Sequence, residues 1–160
     1  MKPSYIFGLL RIALGSIFAW AFFDKLFGLN FTTPPAKSWL NGNSPTLGYL
    51  KAGVKGPFAD FFHALAGNPL VDWLFMIGLA GIGIALMFGI AMRLATITGV
   101  LLLLLLFLTL LPPEHHPFMD EHIIYALTLM ALYQQKAGKV LGFENWWLRN
   151  KITAKLPFLK

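Results

Sequence analysis

The sequence predicts an all-α integral membrane protein, a four-helix bundle with a long, partly helical extracytoplasmic insertion between helices 1 and 2. Of its 160 residues, 57% are hydrophobic and only 12% are charged, whereas soluble domains average about 25% charged residues. A chain this small needs a polar surface to fold in water. Because this chain lacks the residues to form one, we expect lipid to surround a single domain over residues 1–160.

Four apolar segments are predicted to cross the membrane, since about 20 apolar residues span a hydrocarbon core of roughly 30 Å. The first segment carries Arg11 within its apolar stretch. That charge, and the length of the segment, favour a span over a cleaved signal peptide. The predicted spans cover residues of about 5–23, 71–92, 94–111 and 120–138.

Two patterns predict which helix faces pack together. Gly81, Ala85 and Gly89 recur every four residues, and small residues at that spacing let another helix approach closely. Arg93 alone is predicted to form the turn between the second and third spans. One face of the first span carries two cations and is expected to point to the interior of the bundle. It consists of Gly8, Arg11, Gly15, Phe18, Phe22 and Lys25.

The connection between the first two spans is predicted to form a cap at the membrane interface, over residues of about 30–68. Within it, aromatic and apolar residues recur at spacings of three and four between residues 56 and 66. This pattern predicts a short amphipathic helix. After the fourth span, residues of about 142–160 form a basic tail.

Basic residues predict the orientation, because Lys and Arg concentrate on the cytoplasmic side. We expect a multi-pass protein of the cell (cytoplasmic) membrane with both termini in the cytoplasm, and with the insertion and the 112–120 loop facing outward. The basic residues that give the chain its net charge of +6 are predicted to lie beside the membrane. This location argues against nucleic acid as a partner. The cations on the cytoplasmic side are Lys2, Arg93, Lys136, Lys139, Arg149, Lys151, Lys155 and Lys160.

Cysteine is absent from the sequence. This excludes disulfides, thiolate nucleophiles, cysteine-held iron–sulfur clusters and covalent c-type haem. Any redox chemistry must therefore use a diffusible substrate, a bound organic cofactor, a partner or a histidine-held metal.

The stretch from Glu114 to His122 places three carboxylates and three histidines on one outer loop. Histidines and carboxylates exchange protons near neutral pH, as reduction of a membrane quinone requires. Metal ligation and a solvated turn with a helix cap at Asp120 are the alternatives. Because no spacing matches a zinc motif, we predict no metal ligands.

Four other ionisable residues lie in or beside the spans. Arg11 either extends to the interface or pairs in the interior with a carboxylate or an anionic ligand. Asp24 and Lys25 end the first span, as either an interfacial anchor or part of a site. Asp72 opens the second span, where the helix dipole favours an acidic residue.

Short motifs follow one another along nearly the whole chain. They are Arg11-x3-Gly15-x2-Phe18, Asp24-Lys25-Leu26-Phe27-Gly28, Ser38-Trp39-Leu40-x-Gly42-x-Ser44-Pro45-Thr46, Val71-Asp72-Trp73, Gly78-Leu79-x-Gly81-Ile82-Gly83 and Pro117-x2-Asp120-x-His122. In this order and spacing, the chain resembles the DoxX/DoxD family of small four-helix membrane proteins.

The resemblance implies membrane redox chemistry of sulfur compounds. DoxD-type proteins form the large subunit of thiosulfate:quinone oxidoreductase with a DoxA-type partner. Two thiosulfates would give tetrathionate, with quinone as electron acceptor; the resemblance identifies no other cofactor. The expected partners are the lipid bilayer, quinone, a DoxA-like or other redox subunit, and further copies of the chain. The catalytic candidates are Asp120, His122 and Arg11, and the substrate-binding candidates are Lys25, Asp24, Asp72 and Trp39.

Two other classes of function stay open at this point. A non-catalytic membrane scaffold could dock a redox partner through its outer cap or basic tail, and the absence of cofactor motifs suits it. A small anion transporter ranks last, because the sequence shows no paired broken helices or inverted repeat.

Overall fold

A computed structural model describes residues 3–150 and Thr153, and this part of the chain is helical with no strand. Lys2, Lys151, Lys155 and Lys160, which are predicted to lie on the cytoplasmic side, are outside the described residues. Short 3-10 helices occur at Pro35–Lys37, Trp39–Asn41 and Ala137–Lys139. The α-helices are α1 (Pro3–Phe27), α2 (Leu47–Ala52), α3 (Ala59–Ala64), α4 (Pro69–Phe88), α5 (Met92–Thr109), α6 (Glu121–Gln134) and α7 (Glu144–Leu148).

The long helices pack in sequence: α1 against α4, α4 against α5 and α5 against α6, with further contacts between α1 and α6. Successive members of this series are antiparallel. We call the end where α1 finishes and α4 begins the cap end, and the opposite end the terminal end. The core between the helices consists chiefly of Leu14, Phe18, Leu79, Ile82, Leu86, Leu103, Leu129 and Leu132.

Among the described residues, three helices are long and apolar enough to cross a membrane: Ser4–Phe27 within α1, Pro69–Phe88 and Met92–Thr109. Only 28%, 39% and 33% of their most apolar windows are buried inside the protein. Much of the remainder is exposed apolar surface, as at Ile77 and Leu101, which suits contact with lipid. At 14 residues, α6 is shorter than the predicted fourth span.

The interior face predicted for α1 is confirmed: Gly8, Arg11, Gly15 and Phe18 are buried, and Phe22 and Lys25 are half-buried. The prediction for Gly81 is wrong, because a Cβ there would meet open space. The close contact lies at Gly83, where a Cβ would come within 2.8 Å of the Ala19 backbone nitrogen. Gly83 faces α1 because it lies two residues, or about 200° of helical rotation, beyond Gly81.

Local sequence explains where α4 starts and stops. The Asn68 side chain accepts a hydrogen bond from the Leu70 amide, and Pro69 begins the helix, as is favourable at an N-terminus. Gly89 ends the helix with a φ of 65°, a conformation that glycine adopts without steric cost. The prediction that Arg93 alone forms the turn is therefore wrong, because residues 89–91 form it and Arg93 lies in the first turn of α5.

The predicted helix between residues 56 and 66 appears as α3, and α2 precedes it as a helix that the sequence pattern did not predict. Leu50, Val54 and Phe62 form a small apolar cluster beneath them. Phe61 stays exposed. The cap thus has a core of its own, which also contacts Leu108 near the end of α5.

Candidate functional site

A hydrogen-bonded acid–imidazole pair lies at the cap end, where α6 begins. Asp120 Oδ1 accepts hydrogen bonds from the His122 amide (3.0 Å) and the Ile123 amide (3.3 Å). Its Oδ2 lies 2.7 Å from His122 Nδ1. The predicted helix cap at Asp120 is thus confirmed, and the same carboxylate also orients the imidazole.

A second polar contact at the cap end joins two hydroxyl groups from distant parts of the chain. The single hydroxyl proton of Thr109 is donated to the Leu106 carbonyl (2.5 Å). The Tyr49 hydroxyl, 2.6 Å from Thr109 Oγ1, must therefore be the donor in its hydrogen bond with Thr109. Burial raises the pKa of the Tyr49 phenol; the Thr109 hydrogen bond opposes this effect, and the negative charge of Asp120 adds to it. The sequence offered no signal for this contact, because 60 residues separate Tyr49 from Thr109.

Asp120, Glu121 and His122 place potential metal-ligand atoms within 4.8 Å of one another. Both oxygens of Asp120 already accept hydrogen bonds that cap α6 and hold His122. The other histidines of the loop point elsewhere: His115 is exposed, and His116 Nδ1 accepts hydrogen bonds from the Phe118 and Met119 amides. A metal ion bound here would have to displace hydrogen bonds that Asp120 already accepts.

Asp24 and Lys25 lie at the same end of the protein, where α1 finishes. The buried Asp24 carboxylate accepts hydrogen bonds from the Phe31 amide (3.1 Å), the Thr32 amide (3.0 Å) and the Thr32 hydroxyl (2.6 Å). It therefore anchors the start of the cap. Lys25 Nζ lies 3.5 Å from Thr32 Oγ1 and 5.9 Å from the centre of the Phe75 ring, a cation held against an aromatic face.

Asp72 and Trp39 are the other two substrate-binding candidates. Asp72 Oδ1 accepts hydrogen bonds from Ser44 Oγ (2.8 Å), Thr46 Oγ1 (2.6 Å) and the Thr46 amide (3.3 Å). Trp39 packs edge-to-face on Trp73, with ring centres 4.6 Å apart. These residues line a surface cleft of about 290 Å³ between the cap and α4.

Arg11 lies at the terminal end, and the structure does not bring it to the other candidates. It is fully buried, so an extended side chain reaching the interface is excluded. The 13 residues from Arg11 to Asp24 span about 20 Å of helix. Arg11 thus cannot share a site with Asp120 and His122.

The guanidinium instead binds main-chain carbonyl groups. Its Nε donates to Ala137 (3.2 Å), Nη1 to Leu86 and Met87, and Nη2 to Val140 (3.2 Å) and Leu141 (2.8 Å). These contacts use all five N–H groups of an arginine. Three of the carbonyls belong to the segment after α6, so Arg11 joins α1, α4 and that segment.

A buried carboxylate lies near this clamp. Glu144 Oε2 is buried, and it has no hydrogen-bond partner among the described residues. Burial raises the pKa of Glu144, while the positive charges of Lys139, Arg11 and Lys136 oppose that rise. Sequence reasoning missed Glu144, because a single acidic residue in a basic tail gives no sign of burial.

Within residues 3–150, three of the seven α-helices are long and apolar enough to cross a membrane. Two buried aspartates tie down the cap, and the whole arrangement suits a helical membrane protein. No protein-family model, curated protein or solved structure matches the chain.

Proposed function

We propose that the protein is the membrane subunit of a sulfur-compound redox system similar to thiosulfate:quinone oxidoreductase, passing electrons from thiosulfate to membrane quinone. The observation that carries the proposal is the Asp120–His122 pair at the cap end. Quinone reduction takes up two protons, and this pair is a proton donor at the level where the spans end. The DoxX/DoxD resemblance supplies the substrate class.

The proposed topology places α6 as a fourth span. Its 14 residues extend about 21 Å, and Asp120 together with residues 135–138 completes the predicted span of about 120–138. Both termini then lie in the cytoplasm, and the cap with its Asp120–His122 pair faces outward. This arrangement follows the distribution of basic residues.

The surroundings of the pair suit a quinone. The side chains of His122 and Asp120 are 16% and 9% exposed, so the pair is mostly buried but still reachable from outside the protein. The two residues before it, Phe118 and Met119, expose apolar side chains against which a ring could pack. A quinone would supply the electron-accepting carbonyl groups.

Each residue then has a role that its contacts support. His122 gives a proton to the reduced acceptor and regains one from water, while Asp120 holds the imidazole through Nδ1 and stabilises its charged form. Tyr49 adds a hydroxyl at the same end of the protein. The reaction balances when two thiosulfate dianions lose two electrons to form tetrathionate with a new S–S bond, and the quinone gains two electrons and two protons.

Lys25 is the proposed binding group for the anionic substrate, because its positive charge lies half-buried at the cap end. Asp24 and Asp72 act by fixing the cap. Trp39, which packs on Trp73 in the cleft beside α4, takes no part in the proposed reaction. Arg11 contributes by holding the terminal end together, which removes it from the proposed chemistry.

The test is thiosulfate-dependent quinone reduction by purified protein in lipid nanodiscs, followed by quinone absorbance and by tetrathionate formation. We expect one tetrathionate for each quinol, with the protein alone or with a DoxA-type subunit. If neither preparation forms quinol, the proposal is contradicted.

One observation favours the scaffold as a second candidate. Phe88, Ile90, Phe143 and Trp146 line an apolar groove of about 420 Å³ at the terminal end, and an exposed groove of this kind suits a partner protein. Under this alternative, the Asp120–His122 pair is dispensable, and substitution of Trp146 abolishes activity of the assembled system.

A further inference from the structure

The surface cleft between the cap and α4 has features that the proposed redox reaction does not use. Its volume is about 290 Å³, and its lining includes Trp39, Asn43, Ser44, Asp72 and Trp73. These residues come from two parts of the chain about 30 positions apart. Both aromatic side chains and a buried carboxylate therefore meet at one opening.

The two tryptophans form adjoining walls. Their ring centres are 4.6 Å apart, and their planes meet at 73°. The face of an indole ring carries the negative part of its quadrupole and attracts cations more strongly than the other aromatic side chains do. Because the two rings touch edge to face, nothing fits between them. A positively charged group can instead lie in the corner that they form, against the indole faces that line the cleft.

The carboxylate of Asp72 makes the cleft electronegative. The residue is only 6% exposed, and its hydrogen-bond donors are neutral: Ser44 and Thr46. Within residues 3–150 no Lys, Arg or His forms an ion pair with it. A buried carboxylate without a cationic partner repels an anion such as thiosulfate and attracts a cation.

We propose that this cleft binds a quaternary ammonium group, held by the Trp39–Trp73 walls and the Asp72 carboxylate. A quaternary ammonium has no N–H groups and gains its affinity from aromatic faces and a nearby negative charge. A primary ammonium needs three acceptors, whereas Asp72 Oδ1 is already occupied. The ligand is either a choline lipid headgroup or a free quaternary amine, and the site does not depend on the proposed redox function.

The test is calorimetric titration of tetramethylammonium chloride into the full chain in a non-ionic detergent, with sodium chloride as the reference. We expect saturable binding that weakens at least tenfold in Trp73→Leu and in Asp72→Asn. Trp73 is 56% exposed, so its loss leaves the fold intact even if Asp72→Asn unfolds. Trp146→Leu is the matched control, because Trp146 is exposed at the opposite end and its loss should leave binding unchanged.

Two lipid compositions identify the source of the ligand. In nanodiscs of phosphatidylcholine, a lipid headgroup in the cleft would abolish tetramethylammonium binding, whereas phosphatidylglycerol nanodiscs would permit it. Equal binding in both nanodiscs indicates a free amine, and either result supports the site. Absence of saturable binding in detergent, or equal affinity of wild type and Trp73→Leu, overturns the proposal.

Discussion

Arg11 Nε donates a hydrogen bond to the carbonyl of Ala137, joining the first helix to a segment 126 residues later in the chain. The same guanidinium satisfies carbonyls at the end of α4, where helical partners run out. One side chain thereby ties together three parts of the terminal end.

Substitution Arg11→Lys should destabilise the protein by about 3 kcal/mol, since a lysine has three donors and leaves buried carbonyls unpaired. The measurement is the free energy of unfolding in mixed micelles, titrated with denaturing detergent. Arg93→Lys is the control, because Arg93 is exposed. Equal stability of the two variants would show that the carbonyl contacts contribute little.

Gly83→Ala should destabilise the protein by about 1–3 kcal/mol, because the new Cβ meets the Ala19 backbone within 3 Å and forces α1 and α4 apart. Gly81→Ala is the matched control in the same helix. Its Cβ enters open space, and alanine is a better helix former by about 0.8 kcal/mol. Thermal unfolding of both variants in one detergent tests the contrast. A destabilised Gly81→Ala with an unaffected Gly83→Ala would place the helix contact on the wrong face.

Asp120→Asn should lower thiosulfate-dependent quinone reduction about 100-fold, since the amide no longer holds and stabilises a charged imidazole at His122. The rate should be compared with that of Glu121→Gln, whose exposed side chain makes no contact that the proposed mechanism uses. A changed pH profile in Asp120→Asn separates a proton-transfer role from the loss of a helix cap. Full activity in Asp120→Asn would remove the pair from the mechanism.

Glu144→Gln should make stability less dependent on pH. Burial raises the pKa of Glu144 in the folded state, so the folded protein holds this proton more strongly than the unfolded chain does. The stabilisation from the protonated Glu144 side chain is therefore complete below pH 4.5, the ordinary pKa of a glutamate. This stabilisation is lost as the pH rises through the pKa of Glu144 in the folded state.

At pH 7 we accordingly expect Glu144→Gln to melt higher than wild type by about 2 °C, and the difference should shrink in acid. Melting temperatures between pH 4 and 8 measure this effect, with Glu121→Gln as the exposed control. A lower melting temperature for Glu144→Gln at pH 7 would mean that the ionised carboxylate stabilises the fold.

The sequence predicted those features that depend on neighbouring residues. The cap at Asp120 and the interior face of α1 follow from helix capping and helical periodicity, which act within a few residues. The Arg11–Ala137 and Tyr49–Thr109 contacts could not be predicted, because they join positions 126 and 60 residues apart. Small-residue spacing identified α4 as a packing helix but chose Gly81 in place of Gly83, because both lie in an almost uniformly apolar segment.

The topology is open to a direct measurement, because the chain contains no cysteine and single cysteines can be introduced at exposed sites. In intact cells, a membrane-impermeant maleimide should label Lys55→Cys in the cap and Glu114→Cys in the loop before α6. Lys139→Cys, at the terminal end, should react only after the cells are opened. The proposed topology has the cap outside and the terminal end in the cytoplasm. Labelling of both Lys139→Cys and Glu114→Cys in intact cells would contradict it.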